Sequence, residues 1–105
     1  MLLRLLGRWR RKPREGPQLV LFSRPGCHLC EEMKDVLARA KVVPRFRLRE
    51  VNIEEDPELL KRFERSIPVL EIAGRTAFKG RMSPADFRRK YARIVADSGP
   101  ESSTD

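Results

Sequence analysis

The sequence predicts an α/β domain: a mixed four-stranded sheet flanked by three helices, in the order β-α-β-α-β-β-α. Three observations predict it. Apolar runs of strand length alternate with segments whose apolar residues recur every three to four positions. Two of the helical segments open on a capping residue followed by proline, Asp56-Pro57 and Ser83-Pro84. Ala73-Gly74 interrupts the last two strand runs and turns them into a hairpin.

The elements follow in chain order. Gln18-Leu19-Val20-Leu21-Phe22 is a short continuous apolar run, the pattern of a strand buried on both faces. Ser23-Arg24-Pro25-Gly26 breaks it. From Cys27 the spacing becomes helical, with Leu29, Met33, Val36, Leu37 and Ala40 on one face and Glu31, Glu32, Lys34, Asp35 and Arg39 on the other. The two first-turn glutamates suit the positive end of the helix dipole. Pro44 closes the segment. Phe46 to Ile53 reads as a second strand, although Phe46/Leu48 and Val51/Ile53 are out of phase by one residue. A bulge and a change of exposure both account for the slip.

Asp56 caps the next helix, whose buried face is Leu59, Leu60 and Phe63. Val69–Ile72 and Thr76–Lys79 form the hairpin. Ser83 caps the last helix, with Phe87, Tyr91, Ile94 and Val95 facing inward. The first two strands, joined through a helix, are expected to be parallel with a right-handed crossover, and the hairpin antiparallel. Cys27 then sits at the carboxyl end of the first strand, the edge where open sheets bind ligands.

Composition bounds the rest. At 105 residues the chain fits one small domain. Its formal charge is +8, but Arg4, Arg8, Arg10, Arg11, Lys12 and Arg14 lie in the first 14 residues with no acid among them. Setting those six aside leaves 17 basic against 15 acidic side chains. The excess therefore belongs to an arm, residues 1–17, followed by a domain at 18–96 and a polar, disordered tail at 97–105. The arm mixes Leu2, Leu3, Leu5, Leu6 and Trp9 with its arginines. Its apolar run is too short and interrupted for a secretory signal or a membrane span. A frayed basic extension, an amphipathic contact of residues 1–14 with an anionic membrane surface, and a mitochondrial transit peptide remain as readings. Nucleic acid is not an expected partner, since one aromatic and no recognition module accompany the charge.

Only two cysteines occur, as Cys27-His28-Leu29-Cys30 at the start of a helical pattern. So few do not make the scaffold of a secreted mini-protein; they read as a reactive pair in a reducing, cytoplasmic setting (mitochondrial if the arm is a transit peptide). Thiolate, not thiol, attacks disulfides, and a helix N-terminus lowers a thiol pKa below its free value of about 8.5. Cys27 holds that position and is expected to attack; Cys30, one turn inside and more buried, is expected to resolve the mixed disulfide. Arg24 either favours the thiolate or is simply solvated, and His28 either assists or is an exposed first-turn residue.

Ser66-Ile67-Pro68-Val69 opens a strand with a proline that cannot donate to a ladder. An ordinary trans proline is one reading. A cis Ile67–Pro68 bond, presenting the Ile67 backbone to an extended peptide, is the other.

Leu-Phe-Ser-Arg-Pro-Gly-Cys-His-Leu-Cys at 21–30 and Ser-Ile-Pro-Val at 66–69, with a helix, strand and helix between them, resemble a glutaredoxin-like member of the thioredoxin superfamily across residues 18–96. The resemblance implies a thioredoxin-like fold, a redox-active Cys27–Cys30 centre and a cis Pro68 beside it. It sets Arg24 where many glutaredoxins carry a lysine that meets a glutathione carboxylate, and makes Ile67 the residue whose main chain pairs with the glutathione cysteinyl unit. Gly80 would keep the close backbone approach. Two departures stand out: His28-Leu29 replaces the common Pro-Tyr, and Gly80-Arg81 replaces a Gly-Gly turn followed by aspartate, leaving Asp86 or Ser83 as substitutes.

The expected function is thiol–disulfide exchange in cell redox homeostasis, on glutathione mixed disulfides or protein disulfides, by a monomer with no tightly bound cofactor and glutathione as a reductant. Two other classes compete. A metal or iron–sulfur carrier would use Cys27, Cys30 and His28, yet a closed zinc site wants four ligands and the chain has no further Cys or His. A non-catalytic adaptor would use the fold for binding and the arm for a membrane.

Overall fold

The computed structural model describes residues 16–97. The expected readings of the arm before Gly16 and of the tail after Asp97 lie outside the described residues. Strand β1 (Gln18–Ser23) leads to helix α1 (His28–Arg39), strand β2 (Arg47–Asn52) and a single 3-10 turn at Ile53–Glu55. Helix α2 (Pro57–Phe63), strands β3 (Val69–Ile72) and β4 (Arg75–Lys79), and helix α3 (Pro84–Asp97) complete the order.

The sheet order is β2-β1-β3-β4. β1 pairs parallel with β2 and antiparallel with β3, and β3 pairs antiparallel with β4. This is the mixed sheet that the element order predicts. Both caps form as expected: the amide of Glu58 donates to Asp56 Oδ1 (2.9 Å), and that of Asp86 donates to Ser83 Oγ (3.0 Å). In the hairpin, Ala73 and Gly74 both have positive φ, +52° and +81°. Two such residues give a turn whose twist matches the strands. A shift of register between Leu70 and Glu71 leaves Ala77 unmatched opposite them.

The two faces of the sheet are unequal. Leu19, Leu21, Leu70 and Ile72 pack with Met33 and Leu37 of α1 and Phe87, Tyr91 and Ile94 of α3. The opposite face carries a smaller cluster, Ile53, Phe63 and Val69 with Phe22, Leu59 and Leu60 against it. α2 has only seven residues and covers one end of that face. Burial along β1 consequently alternates, with Leu19, Leu21 and Ser23 buried and Val20 and Phe22 half-buried, rather than being complete on both sides.

The phase slip in the second strand also has a definite origin. β2 runs in unbroken register with β1 from Gln18↔Arg47 to Ser23↔Asn52, so there is no bulge. Phe46 is buried just before the strand and Ile53 just after it, in the 3-10 turn. Between them β2 is an edge strand, and Arg47 through Glu50 are all exposed. Exposure changes; pairing does not.

Just before β1, the Gly16 amide donates to Arg45 O (3.0 Å) and the Arg47 amide to Pro17 O (3.1 Å), tying residues 16 and 17 to the entry of β2. The Val43–Pro44 and Ile67–Pro68 peptide bonds are both cis.

Candidate functional site

The end of β1, the start of α1 and the turn into β3 meet at the carboxyl edge of β1. Cys27 is the N-cap of α1, in extended conformation (φ −93°, ψ 109°), and Gly26 before it adopts φ +78°, which favours glycine. Cys27 and Cys30 form a disulfide with Cα atoms 5.2 Å apart. The backbone amide of Cys30 donates to Cys27 Sγ at 3.2 Å, so a sulfur does what a serine or aspartate oxygen does at other helix starts. Cys30 is fully buried, while Cys27 is half-buried. The pair is thus unequally buried.

Pro68 is fully buried beside this turn, and its carbonyl accepts from the Gly80 amide at 2.8 Å. Gly80, at φ +80°, leads into a groove of about 220 Å³ lined by Leu29, Glu32, Met33, Arg81 and Ser83 among others. The structure thus brings Cys27, Cys30, Pro68 and Gly80 to one edge. The Ile67 amide donates to Phe63 O at 3.1 Å and belongs to the end of α2.

Arg24 is ion-paired. Its guanidinium reaches Glu54 Oε2 from both Nε (3.1 Å) and a terminal nitrogen (3.0 Å). His28 is 85% exposed and its Nε2 lies 3.0 Å from Glu32 Oε2, one helical turn on. His28 is thus an exposed residue of the first turn, paired along the helix with Glu32. Glu32 also lies 3.7 Å from Arg81, the residue after Gly80. Asp86 pairs with Arg89 along α3.

Sequence reasoning missed Glu54, Glu50 and Ser23. Glu54 carried no local signal, since it is 30 residues from the arginine that it neutralises. Ser23, buried, donates to Glu50 Oε2 at 2.7 Å, and Lys34 bridges Glu50 (3.2 Å) and Glu31 (3.0 Å). Ser23, Glu31, Lys34 and Glu50 line an open cleft of about 400 Å³ that also touches Arg24 and Pro25. The Ser23 hydroxyl, with help from Lys34, holds the Glu50 carboxyl below its ordinary value against the opposing effect of burial. The same hydrogen bonds to Glu31 and Glu50 raise the Lys34 pKa. Only the Glu31–Lys34 spacing, three apart on a helix, was visible beforehand.

Among the described residues, no group of three or more His, Cys, Asp or Glu side chains is arranged to hold a metal ion, and no helix is long and apolar enough to cross a membrane.

Residues 18–91 match the family described as Glutaredoxin-like domain (DUF836). Among solved structures, the chain is similar to the Northeast Structural Genomics target protein XcR50 from X. campestris, at 28% identity and TM-score 0.57, covering 78% of this chain and 99% of that one. It is similar to reduced desulfothioredoxin from Desulfovibrio vulgaris Hildenborough at 35% identity and TM-score 0.55, covering 75% of this chain and 82% of that one. Oxidized mitochondrial thioredoxin 3 from Saccharomyces cerevisiae matches at 18% identity and TM-score 0.51, over 84% and 89%, a likeness of fold. The fold is thioredoxin-like.

Proposed function

Because this chain belongs to the glutaredoxin-like family of the thioredoxin superfamily, we propose that it is a thiol–disulfide oxidoreductase in which Cys27 attacks and Cys30 resolves. The observation that carries this reading is the asymmetry of the pair: the sulfur of half-buried Cys27 accepts from the Cys30 amide, and Cys30 is fully buried. That amide and the positive end of α1 favour a thiolate at Cys27.

In the reduced enzyme the Cys27 thiolate attacks one sulfur of a substrate disulfide, and the other sulfur leaves as a thiolate and takes a proton from water. Cys30 loses its proton and attacks Cys27 Sγ, expelling the second substrate thiol and closing the Cys27–Cys30 disulfide. Two electrons pass from the dithiol to the substrate. An external thiol, glutathione or a reduced dithiol protein, returns them. The backbone around Pro68 and Gly80 receives the substrate main chain, with the Ile67 carbonyl as its partner because the Ile67 amide is already bonded to Phe63.

Two features support a protein disulfide as substrate ahead of a glutathione mixed disulfide. Arg24 is neutralised by Glu54, and Arg81 occupies the position from which an acid would meet an amino group. The test compares turnover of insulin disulfides and of a glutathione mixed disulfide. Cys27→Ser is expected to abolish both, whereas Cys30→Ser is expected to abolish only the protein route, since a monothiol route needs no resolving thiol. Unchanged turnover of both substrates by Cys27→Ser would sink the reading.

A further inference from the structure

The chain from Arg39 to Arg49 contains five basic residues and no acid. It comprises the end of α1, the connection with the cis Val43–Pro44 bond, and most of edge strand β2. All five cations are exposed. Arg39 is paired with Asp35, and Arg45 donates to Ala40 O while stacking over Phe46. Lys41, Arg47 and Arg49 have no side-chain partner among the described residues. Between them lie the exposed large apolar side chains of the described surface, Val43 (91%) and Leu48 (42%). Cations interleaved with exposed aliphatic groups suit a surface that is anionic outside and apolar just beneath; nucleic-acid base faces stack on aromatic side chains instead, and neither Val43 nor Leu48 is aromatic.

Gly16, the first described residue, lies at the same place. Gly16 is pinned to Arg45 by a backbone hydrogen bond and is buried against Tyr91, where an added Cβ would lie 2.8 Å from the Tyr91 hydroxyl and closer still to the Arg45 carbonyl. The chain's first 15 residues, which carry six cations and the single acid Glu15 besides Leu2, Leu3, Leu5, Leu6 and Trp9, are covalently joined to Gly16 on this edge. Arg47 pairs with Gln18, at the amino end of β1, and the disulfide follows the carboxyl end. Six strand residues separate the two by about 17 Å.

We propose that the edge formed by Lys41, Val43, Arg45, Arg47, Leu48 and Arg49 docks on an anionic lipid bilayer surface, and that docking turns Cys27 away from the membrane. The long stems of the arginines cover apolar surface while their heads reach the phosphates. This surface is independent of the redox reaction.

The full-length chain is to be sedimented with vesicles of pure phosphatidylcholine and with vesicles of one part phosphatidylglycerol to two parts phosphatidylcholine. Binding is expected to the second only, and to weaken with salt. The full-length double variant Arg47→Gln/Arg49→Gln is expected to bind roughly 30-fold more weakly, from about 1 kcal/mol per cation at the surface. Lys61→Gln/Arg65→Gln removes the same charge from the α2 end of the sheet and is expected to bind as the unaltered chain. Alkylation of reduced Cys27 is expected to proceed as fast on vesicles as off them. Equal binding to neutral vesicles would overturn the proposal. So would unaltered binding by the Arg47/Arg49 variant, or equal losses in the two double variants. Release from the vesicles by a single-stranded RNA oligonucleotide at matched phosphate concentration would assign the edge to nucleic acid instead. Loss of Cys27 alkylation on the vesicles would overturn the orientation.

Discussion

The backbone amide of Cys30 donates to the sulfur of Cys27 across 3.2 Å, so the two members of the pair are joined by a helix cap as well as by a disulfide. The cap requires a good acceptor, and a thiolate is a better one than a thiol. On the proposed mechanism, the same cap favours an ionised Cys27 once the disulfide is reduced. Cys30, with no solvent exposure, gains nothing comparable.

Selective alkylation follows from that difference. In the reduced chain near neutral pH, iodoacetamide is expected to modify Cys27 first, with Cys30 protected until the protein unfolds. Cys27→Ser is expected to lower turnover by roughly a thousandfold or more, as loss of a nucleophile does. Cys30→Ser should accumulate a mixed disulfide at Cys27, seen as a mass increase equal to the substrate thiol. Equal alkylation of both cysteines in the folded protein contradicts the assignment.

The ion pair between Arg24 and Glu54 predicts a substitution that improves a substrate. Both groups are partly exposed, so the pair is worth no more than about 1 kcal/mol. Glu54→Gln releases Arg24 to meet a carboxylate. KM for a glutathione mixed disulfide is expected to fall up to about fivefold, the equivalent of that energy, with insulin reduction unchanged. A KM that does not move would mean that Arg24 is no part of the substrate surface.

Glu50 predicts an acid limb in stability. Its folded pKa lies below the unfolded value of 4.5, first through the Ser23 hydroxyl. The stabilisation is thus present above the unfolded value and is lost as pH falls through the folded one. Ser23→Ala is expected to cost about 1 kcal/mol at neutral pH, a figure that allows for solvent at Glu50, and nearly nothing once Glu50 is protonated in both states. Urea denaturation at neutral and strongly acid pH measures the difference. A Ser23→Ala penalty independent of pH would assign it to packing instead.

Gly16 and Tyr91 predict a stability effect far from the disulfide. The Tyr91 hydroxyl donates to the Pro44 carbonyl and leaves no room for a side chain at Gly16. Gly16→Ala is expected to destabilise by roughly 1–3 kcal/mol through overpacking, and Tyr91→Phe by about 1 kcal/mol through the lost bond. Thermal unfolding reads both. Burial also raises the Tyr91 pKa, so the neutral ring's contribution holds below the unfolded value of 10.0 and is lost as pH rises past it.

By itself the sequence determined the order of the elements, the two proline-marked caps and the cysteine pair at a helix start. These depend on residues within a turn of one another, and local geometry is enough to specify them. Only the tertiary structure decided that β2 is an edge strand with its arginines in solvent. It alone decided that Glu54 claims Arg24, that Ser23 and Glu50 share a proton donor and acceptor, and that Gly16 locks onto Arg45. Each of those pairs lies 27 or more residues apart in the chain. No periodicity records such a contact, because it exists only once the sheet has assembled and brought the two segments side by side.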